Sequence, residues 1–186
     1  MKHFLFCGPS GSGKTSIVQH LLKEFSFMCF SISATTRPMR ATEINGIDYY
    51  FLSEDEFRDK ISQDAFIEWE EVYNGRFYGT LKSEIVRIES ENCSAVFDVD
   101  VEGGLTIKNK FGNNLLTVFV RPPSVEDLRK RLVARNTETE ESLQKRLDKA
   151  THELTYEPLF DHIIVNHNLE AACQAAMQKV QEFLRA

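Results

Sequence analysis

The chain has 186 residues, 42% of them hydrophobic and 27% charged, and a formal net charge of −6. That length suits one domain with a real core, and the composition is that of a soluble globular protein. The acidic balance argues against a nucleic-acid binder, no apolar run approaches membrane-spanning length, and the N-terminus lacks a signal-peptide pattern. A cytoplasmic protein with no membrane contact and no obligate protein partner is expected. Cys7, Cys29, Cys93 and Cys173 are scattered, with no C-x-x-C pair, and three sit in apolar runs. They read as reduced, mostly buried thiols. The five histidines show no ligand-like spacing with them, so no structural zinc site is expected.

Short apolar runs alternate with amphipathic stretches along the chain. HFLFC (3–7) reads as a strand and leads into GPSGSGKTS (8–16). The spacing Gly8, four residues, Gly13, Lys14, Thr15 fits the phosphate-binding loop G-x-x-x-x-G-K-[ST]. Glycines let the backbone of Gly8, Pro9, Ser10, Gly11, Ser12 and Gly13 turn its N–H groups onto an anion. The helix predicted over 14–25 adds its positive end. Lys14 is placed to reach the β/γ-phosphates of a nucleoside triphosphate, and Thr15 to offer a hydroxyl to Mg²⁺.

FMCFSIS (27–33) reads as the second core strand. From about 34 to 80 the alternation breaks into a stretch rich in aromatics, arginine and turn residues, read as a small α+β insertion. Arg37 and Arg40 flank Pro38-Met39, and proline stiffens that loop. Two guanidinium forks there form either a phosphate clamp or two solvated arginines. Tyr49 and Tyr78 add hydroxyls that serve a ligand or only pack. INGIDYYF (44–51) reads as a turn into a strand, and Ser53 with Glu56 as a capping box opening a helix over 54–61. In FIEWEE (66–71), Glu68 lies between Ile67 and Trp69. On a strand it points away from both, to solvent or into a ligand cleft. In a cleft, its two oxygens match the N1–H and N2 amino group of guanine, whereas adenine presents an acceptor at N1.

A helix is predicted over 81–90, then a strand at SAVFDVD (94–100). Asp98 and Asp100 close that run on one strand face, either organising Mg²⁺ and its waters or feeding a turn at Glu102-Gly103-Gly104. LLTVFV (115–120) and DHIIVN (161–166) read as further strands, and 124–135, 139–156 and 169–184 as helices, with Ser124 capping the first of these. Arg129, Arg131, Arg135 and Arg146 surround the polar segment NTETEES. They read as a solvated face or as a flap that closes over a transferring phosphoryl group. Runs buried on both faces and separated by helices indicate an α/β domain with a mostly parallel sheet.

GPSGSGKTS, SATTRPMR, NGIDYYF, FIEW, YGT, DVD, PPSVEDLRKRL and TETEESLQKRL occur in this order. The chain resembles the guanylate kinase family over essentially its whole length. The resemblance implies a P-loop core (1–33, 81–134 and 147–186), a GMP-binding insertion (34–80) and a helical lid (135–146). It also implies transfer of the ATP γ-phosphoryl group to GMP, and to dGMP as well, with Mg²⁺ held by Thr15 and, through water, by Asp98. It puts GMP-phosphate contacts on Arg37, Arg40, Tyr49 and Tyr78, and base contacts on Ser33, Glu68 and Thr80. Gly79 and Asp100 lie beside that nucleotide. Lys14, Arg37, Arg135, Arg146 and Asp98 carry the catalytic charge, and Asn166 lies near the nucleotides. Glu102 stands where the family usually has glutamine, and His167 where it usually has aspartate. Two competing readings are a phosphopeptide-binding module of the same fold, which loses the intact loop, and a P-loop kinase for another small acceptor.

Overall fold

The computed structural model describes residues 1–73, 75–134 and 140–186, Tyr73 by its backbone alone. Five strands form an all-parallel sheet in the order β2-β7-β1-β8-β9: β1 (His3–Cys7), β2 (Met28–Phe30), β7 (Ser94–Asp98), β8 (Leu115–Arg121) and β9 (His162–Val165). Period-two alternation in β1 sends Phe4 and Phe6 to one face and Leu5 and Cys7 to the other. The first face packs on α1 (Lys14–Glu24) and α7 (Leu169–Arg185) through Ile17, Val18, Leu21, Ala172, Ala176 and Val180. The second packs on α3 (Lys82–Ser90) and α4 (Val101–Phe111) through Ile85, Ile88, Val101 and Ile107. A sheet covered on both faces explains why its strands read as unbroken apolar runs.

Between β2 and α3 the chain builds a second, four-stranded sheet in the order β4-β3-β6-β5. Its strands are β3 (Ala34–Thr35), β4 (Tyr50–Phe51), β5 (Phe66–Tyr73) and β6 (Arg76–Leu81), and α2 (Glu54–Ser62) packs on it. Phe57 of α2 stacks on Phe66 and Phe77, with ring centroids 4.4 and 5.4 Å apart. The capping box read from Ser53 and Glu56 opens α2. The cap read from Ser124 opens α5 (Val125–Val133), its hydroxyl accepting from the Asp127 N–H. The pair α5 and α6 (Glu140–Leu154) share a small core of Leu128, Leu132, Leu143 and Leu147.

Three readings change. Glu102-Gly103-Gly104 is not a turn but the opening of α4. Two adjacent glycines lower helix propensity by about 1 kcal/mol each, which hid this helix. Here they permit close packing: a β-carbon on Gly104 would sit 3.4 Å from Cys7 and Leu5 and 3.6 Å from Phe160. Asp100 therefore is not on the strand with Asp98 but is the N-cap residue of α4. Cys29 and Cys93, expected as thiols, are paired as a disulfide, with Cα atoms 5.7 Å apart. The parallel register Met28 with Ser94 brings these two cysteines side by side across 64 residues of chain.

Gly104→Leu is expected to lower stability by about 1–3 kcal/mol through overpacking against β1. Gly104→Ala, whose single carbon finds ordinary contact distances, should stay within ~1 kcal/mol of the parent. Urea unfolding of both variants checks this.

Candidate active site

The strand after which the chain first turns, β1, lies at the centre of the parallel sheet, so the following loop sits at the sheet's carboxyl edge. Open parallel sheets carry their ligand crevices at that edge. Gly13 caps α1 in the left-handed region, with φ 100°. At Gly8, φ is 134° and a β-carbon would collide with the Val120 carbonyl of β8, so only glycine fits. The Lys14 amine donates to the carbonyls of Gly8 (2.7 Å) and Pro9 (3.3 Å). The Ser12 carbonyl accepts from Asn166 Nδ2 (2.7 Å) and Arg131 (3.3 Å), and Arg131 also donates to the Asn166 carbonyl (2.7 Å). Arg131 thus braces the loop from behind. At the loop's mouth, the Thr15 hydroxyl donates to Asp98 Oδ2 at 2.6 Å.

The second sheet faces this loop. On its inner edge the Thr80 hydroxyl, itself buried, donates to Glu68 Oε1 at 2.6 Å. Burial pushes the Glu68 carboxyl up to about 7, against the pull of its Thr80 hydrogen bonds, and Asp100 adds to the rise. The Arg37 guanidinium is held in a two-pronged pair with Glu43 (2.7 and 3.0 Å) and lies over the rings of Tyr49 and Phe51. Arg40 instead extends into solvent, its side chain 72% exposed.

A cavity of about 330 Å³ joins the two halves. Ser10, Gly11, Gly13, Lys14 and Thr15 line one end, and Arg37, Arg40, Tyr49 and Tyr78 another. Glu68, Glu70, Gly79, Ser33, Asp98, Asp100, Arg146, Lys149 and Glu153 form much of the wall between them. The wall is densely acidic. Burial raises Glu70 and Glu153 to about 7, helped in both by Asp100. Burial also pushes Asp100 upward, but Lys149, donating to it at 2.8 Å, and Lys14 hold it below the usual carboxylate range.

The residues singled out in the sequence thus converge, with three qualifications. Gly8, Pro9, Ser12, Thr80 and Asn166 are not on the cavity wall; Gly8 and Pro9 hold Lys14, Asn166 braces Ser12 from behind, and Thr80 orients Glu68. Arg146 reaches the loop, 3.5 Å from the Ser10 hydroxyl. Arg135 lies outside the described residues. Sequence reasoning missed Glu43, Glu70, Lys149 and Glu153. Strand alternation from Glu68 signals Glu70, and helical spacing places Lys149 and Glu153 together. Nothing in the sequence signals Glu43.

The loop, its sheet position and the facing second sheet define a P-loop kinase fold. The guanylate kinase family matches residues 1–186. A guanylate kinase of Bacteroides fragilis is 46% identical over 183 residues, covering 98% of this chain and 90% of the relative. That of Porphyromonas gingivalis is 43% identical, covering 98% of both chains. The crystal structure of guanylate kinase from Anaplasma phagocytophilum superposes with a TM-score of 0.76 at 25% identity, covering 97% of this chain and 85% of that one. A shikimate kinase structure from Bacteroides thetaiotaomicron, with a TM-score of 0.52 at 14% identity, shares the fold alone. This chain belongs to the guanylate kinase family.

A carboxyl whose folded pKa is raised binds its proton more tightly when folded, so its stabilising effect is lost as pH rises from about 4.5 to about 7. Above pH 7 the buried Glu68 carboxylate costs on the order of 1–3 kcal/mol. Glu68→Gln, which keeps an acceptor for Thr80, is therefore expected to raise the melting temperature at pH 8 by about 3–8 °C. Calorimetry at pH 8 and pH 5 should show the gap shrinking at the lower pH.

Proposed function

We propose that this chain transfers the γ-phosphoryl group of ATP to GMP, giving ADP and GDP, and to dGMP as well. One observation carries the reading: a single cavity has a phosphate-binding loop at one end and a dry carboxylate, Glu68 on Thr80, facing it from the second sheet. A buried carboxylate needs donors, and guanine supplies two side by side, at N1 and N2. Adenine supplies none at N1 and leaves the charge unpaired.

In this reading, residues 1–33, 81–134 and 147–186 are the core, 34–80 hold GMP, and 135–146 form the lid. The backbone from Gly8 to Gly13 cradles the ATP phosphates. Lys14 exchanges its two carbonyl partners for phosphate oxygens. Arg37, Arg40, Tyr49 and Tyr78 hold the acceptor phosphate, and Glu43 keeps the Arg37 fork aimed. Ser33, Gly79 and Asp100 line the acceptor beside Glu68. An acceptor-phosphate oxygen forms a bond to the γ-phosphorus as the bond to the β–γ bridging oxygen breaks. Arg146 and Arg135 add positive charge from the lid side. No side chain forms a covalent bond, so the protein acts by positioning and charge neutralisation.

The Thr15 hydroxyl and Asp98 carboxylate, already joined at 2.6 Å, are hard oxygen donors that suit Mg²⁺. Thr15 would hold the ion directly and Asp98 through water. The ion's contribution is to neutralise charge on the β- and γ-phosphates. No described helix is long and apolar enough to cross a membrane. ATP and GMP as the small-molecule partners, and GMP recycling toward guanine nucleotide synthesis in the cytoplasm as the role, complete the proposal.

Lys14→Met should abolish phosphoryl transfer while leaving the melting curve intact. Glu68→Gln should lower kcat/KM for GMP by on the order of 10²-fold and shrink the GMP-over-AMP preference, leaving ATP affinity unchanged. A coupled ADP-release assay across GMP, AMP, CMP and UMP measures both. Near-normal turnover in folded Lys14→Met would overturn the ATP site. An unchanged GMP/AMP ratio in Glu68→Gln would overturn the base assignment.

A further inference from the structure

The carboxyl of Glu70 takes no part in the proposed phosphoryl transfer, yet it lines the same cavity. Its Oε1 is buried and meets no hydrogen-bond donor among the described residues. Leaving a buried acceptor unsatisfied is costly, and such a group is commonly completed by a ligand.

Its place in the sheet says which part of a ligand it meets. In the antiparallel ladder of β5 and β6, Glu68 pairs with Thr80, Trp69 with Gly79, and Glu70 with Tyr78. Glu68 and Glu70 are two residues apart and share the cavity face, while Trp69 turns away beside Phe77. A β-carbon on Gly103 of α4 would lie 2.6 Å from Glu68 Oε2 and 3.6 Å from Glu70 Oε1, so both carboxyls pack against the start of α4. Two residues along a strand span about 7 Å. The Glu68–Thr80 row meets the base, and the next row contains Tyr78, which lines the cavity with Arg37, Arg40 and Tyr49 at the acceptor-phosphate end. Glu70 pairs with Tyr78 in that second row; with GMP bound as proposed, its base on the first row and its phosphate on the arginines, the sugar falls beside Glu70.

The charge around it selects the kind of group. Asp100, Glu102 and Glu68 surround Glu70 with negative charge, which Lys149 only partly offsets while bound to Asp100 and near Glu153. A phosphate is repelled there. A neutral hydroxyl donor is not.

We propose that Glu70 accepts a hydrogen bond from a ribose hydroxyl of the acceptor nucleotide and so sets discrimination against an analogue that lacks that hydroxyl. This rests on the reading of the cavity as a GMP site and extends it to the sugar. A carboxylate–hydroxyl bond in a desolvated site discriminates by roughly tenfold or more against an analogue lacking the hydroxyl.

The test is kcat/KM for GMP, 2′-deoxy-GMP and 3′-deoxy-GMP, with wild type, Glu70→Ala and Glu70→Gln. Wild type should prefer GMP over one deoxy analogue by about tenfold or more, which also says which hydroxyl is read. Glu70→Ala should bring that ratio to within about twofold of one, by slowing GMP far more than the analogue. Glu70→Gln, which keeps a carbonyl acceptor, should retain an intermediate ratio. Equal use of all three nucleotides by wild type overturns the inference. So does a Glu70→Ala variant that keeps the wild-type ratio, or that loses GMP and deoxy activity equally. If wild type phosphorylates none of them, the GMP reading itself falls, a result distinct from these.

Discussion

Everything in this molecule depends on how tightly the loop after β1 is seated on the carboxyl edge of the sheet. Gly8 lies against the backbone of β8, and the Ser12 carbonyl is gripped by Asn166, just past β9, and by Arg131 of α5. Asp98 at the end of β7 reaches Thr15 at the start of α1. Four parallel strands therefore meet the loop at their ends. Lys14 is held by the loop's own carbonyls, so its charge is already placed before any phosphate arrives. Preorganisation of this kind spares the reorganisation cost at the moment of reaction.

The opposite wall works by holding charge in an unfavourable place. Glu68, Glu70 and Glu153 are each pushed to about 7 by burial, and Asp100 sits among them. Lys149 bridges Asp100 and approaches Glu153 at 3.5 Å, and keeps part of the cluster ionised. Burying carboxyls in this way weakens the ligand-free fold, and in the proposed GMP site it favours a ligand with donors in the right places. The arginine side is arranged differently. Glu43 satisfies Arg37 in advance and fixes its orientation, whereas Arg40 stays in solvent. One guanidinium is thus fixed by a short two-pronged pair, and the other meets Glu43 only at 3.8 Å from an exposed position.

Local patterns in the sequence settled a good deal. The loop spacing, the two helix caps and the strand alternation that sets Glu68 apart from Ile67 and Trp69 are properties of neighbouring residues, and each is found where the sequence places it. Their physics is short-range: φ > 0 at glycine, a hydroxyl three residues before an N–H, alternation along a strand.

The tertiary structure decided the remainder, because those features depend on partners distant in sequence. Helix α4 forms despite Gly103-Gly104, since the tight contact with β1 and Phe160 that needs small residues offsets their poor propensity. Cys29 meets Cys93 only because β2 and β7 pair in one register. Arg131 reads in the sequence as part of a solvated face or of a flap, but it braces the loop, since α5 packs it against Ser12 and Asn166. Glu70 in FIEWEE draws no reading from the sequence. Only the closing of α4 over β5 makes it a buried acceptor, because burial belongs to the assembled walls and not to the strand.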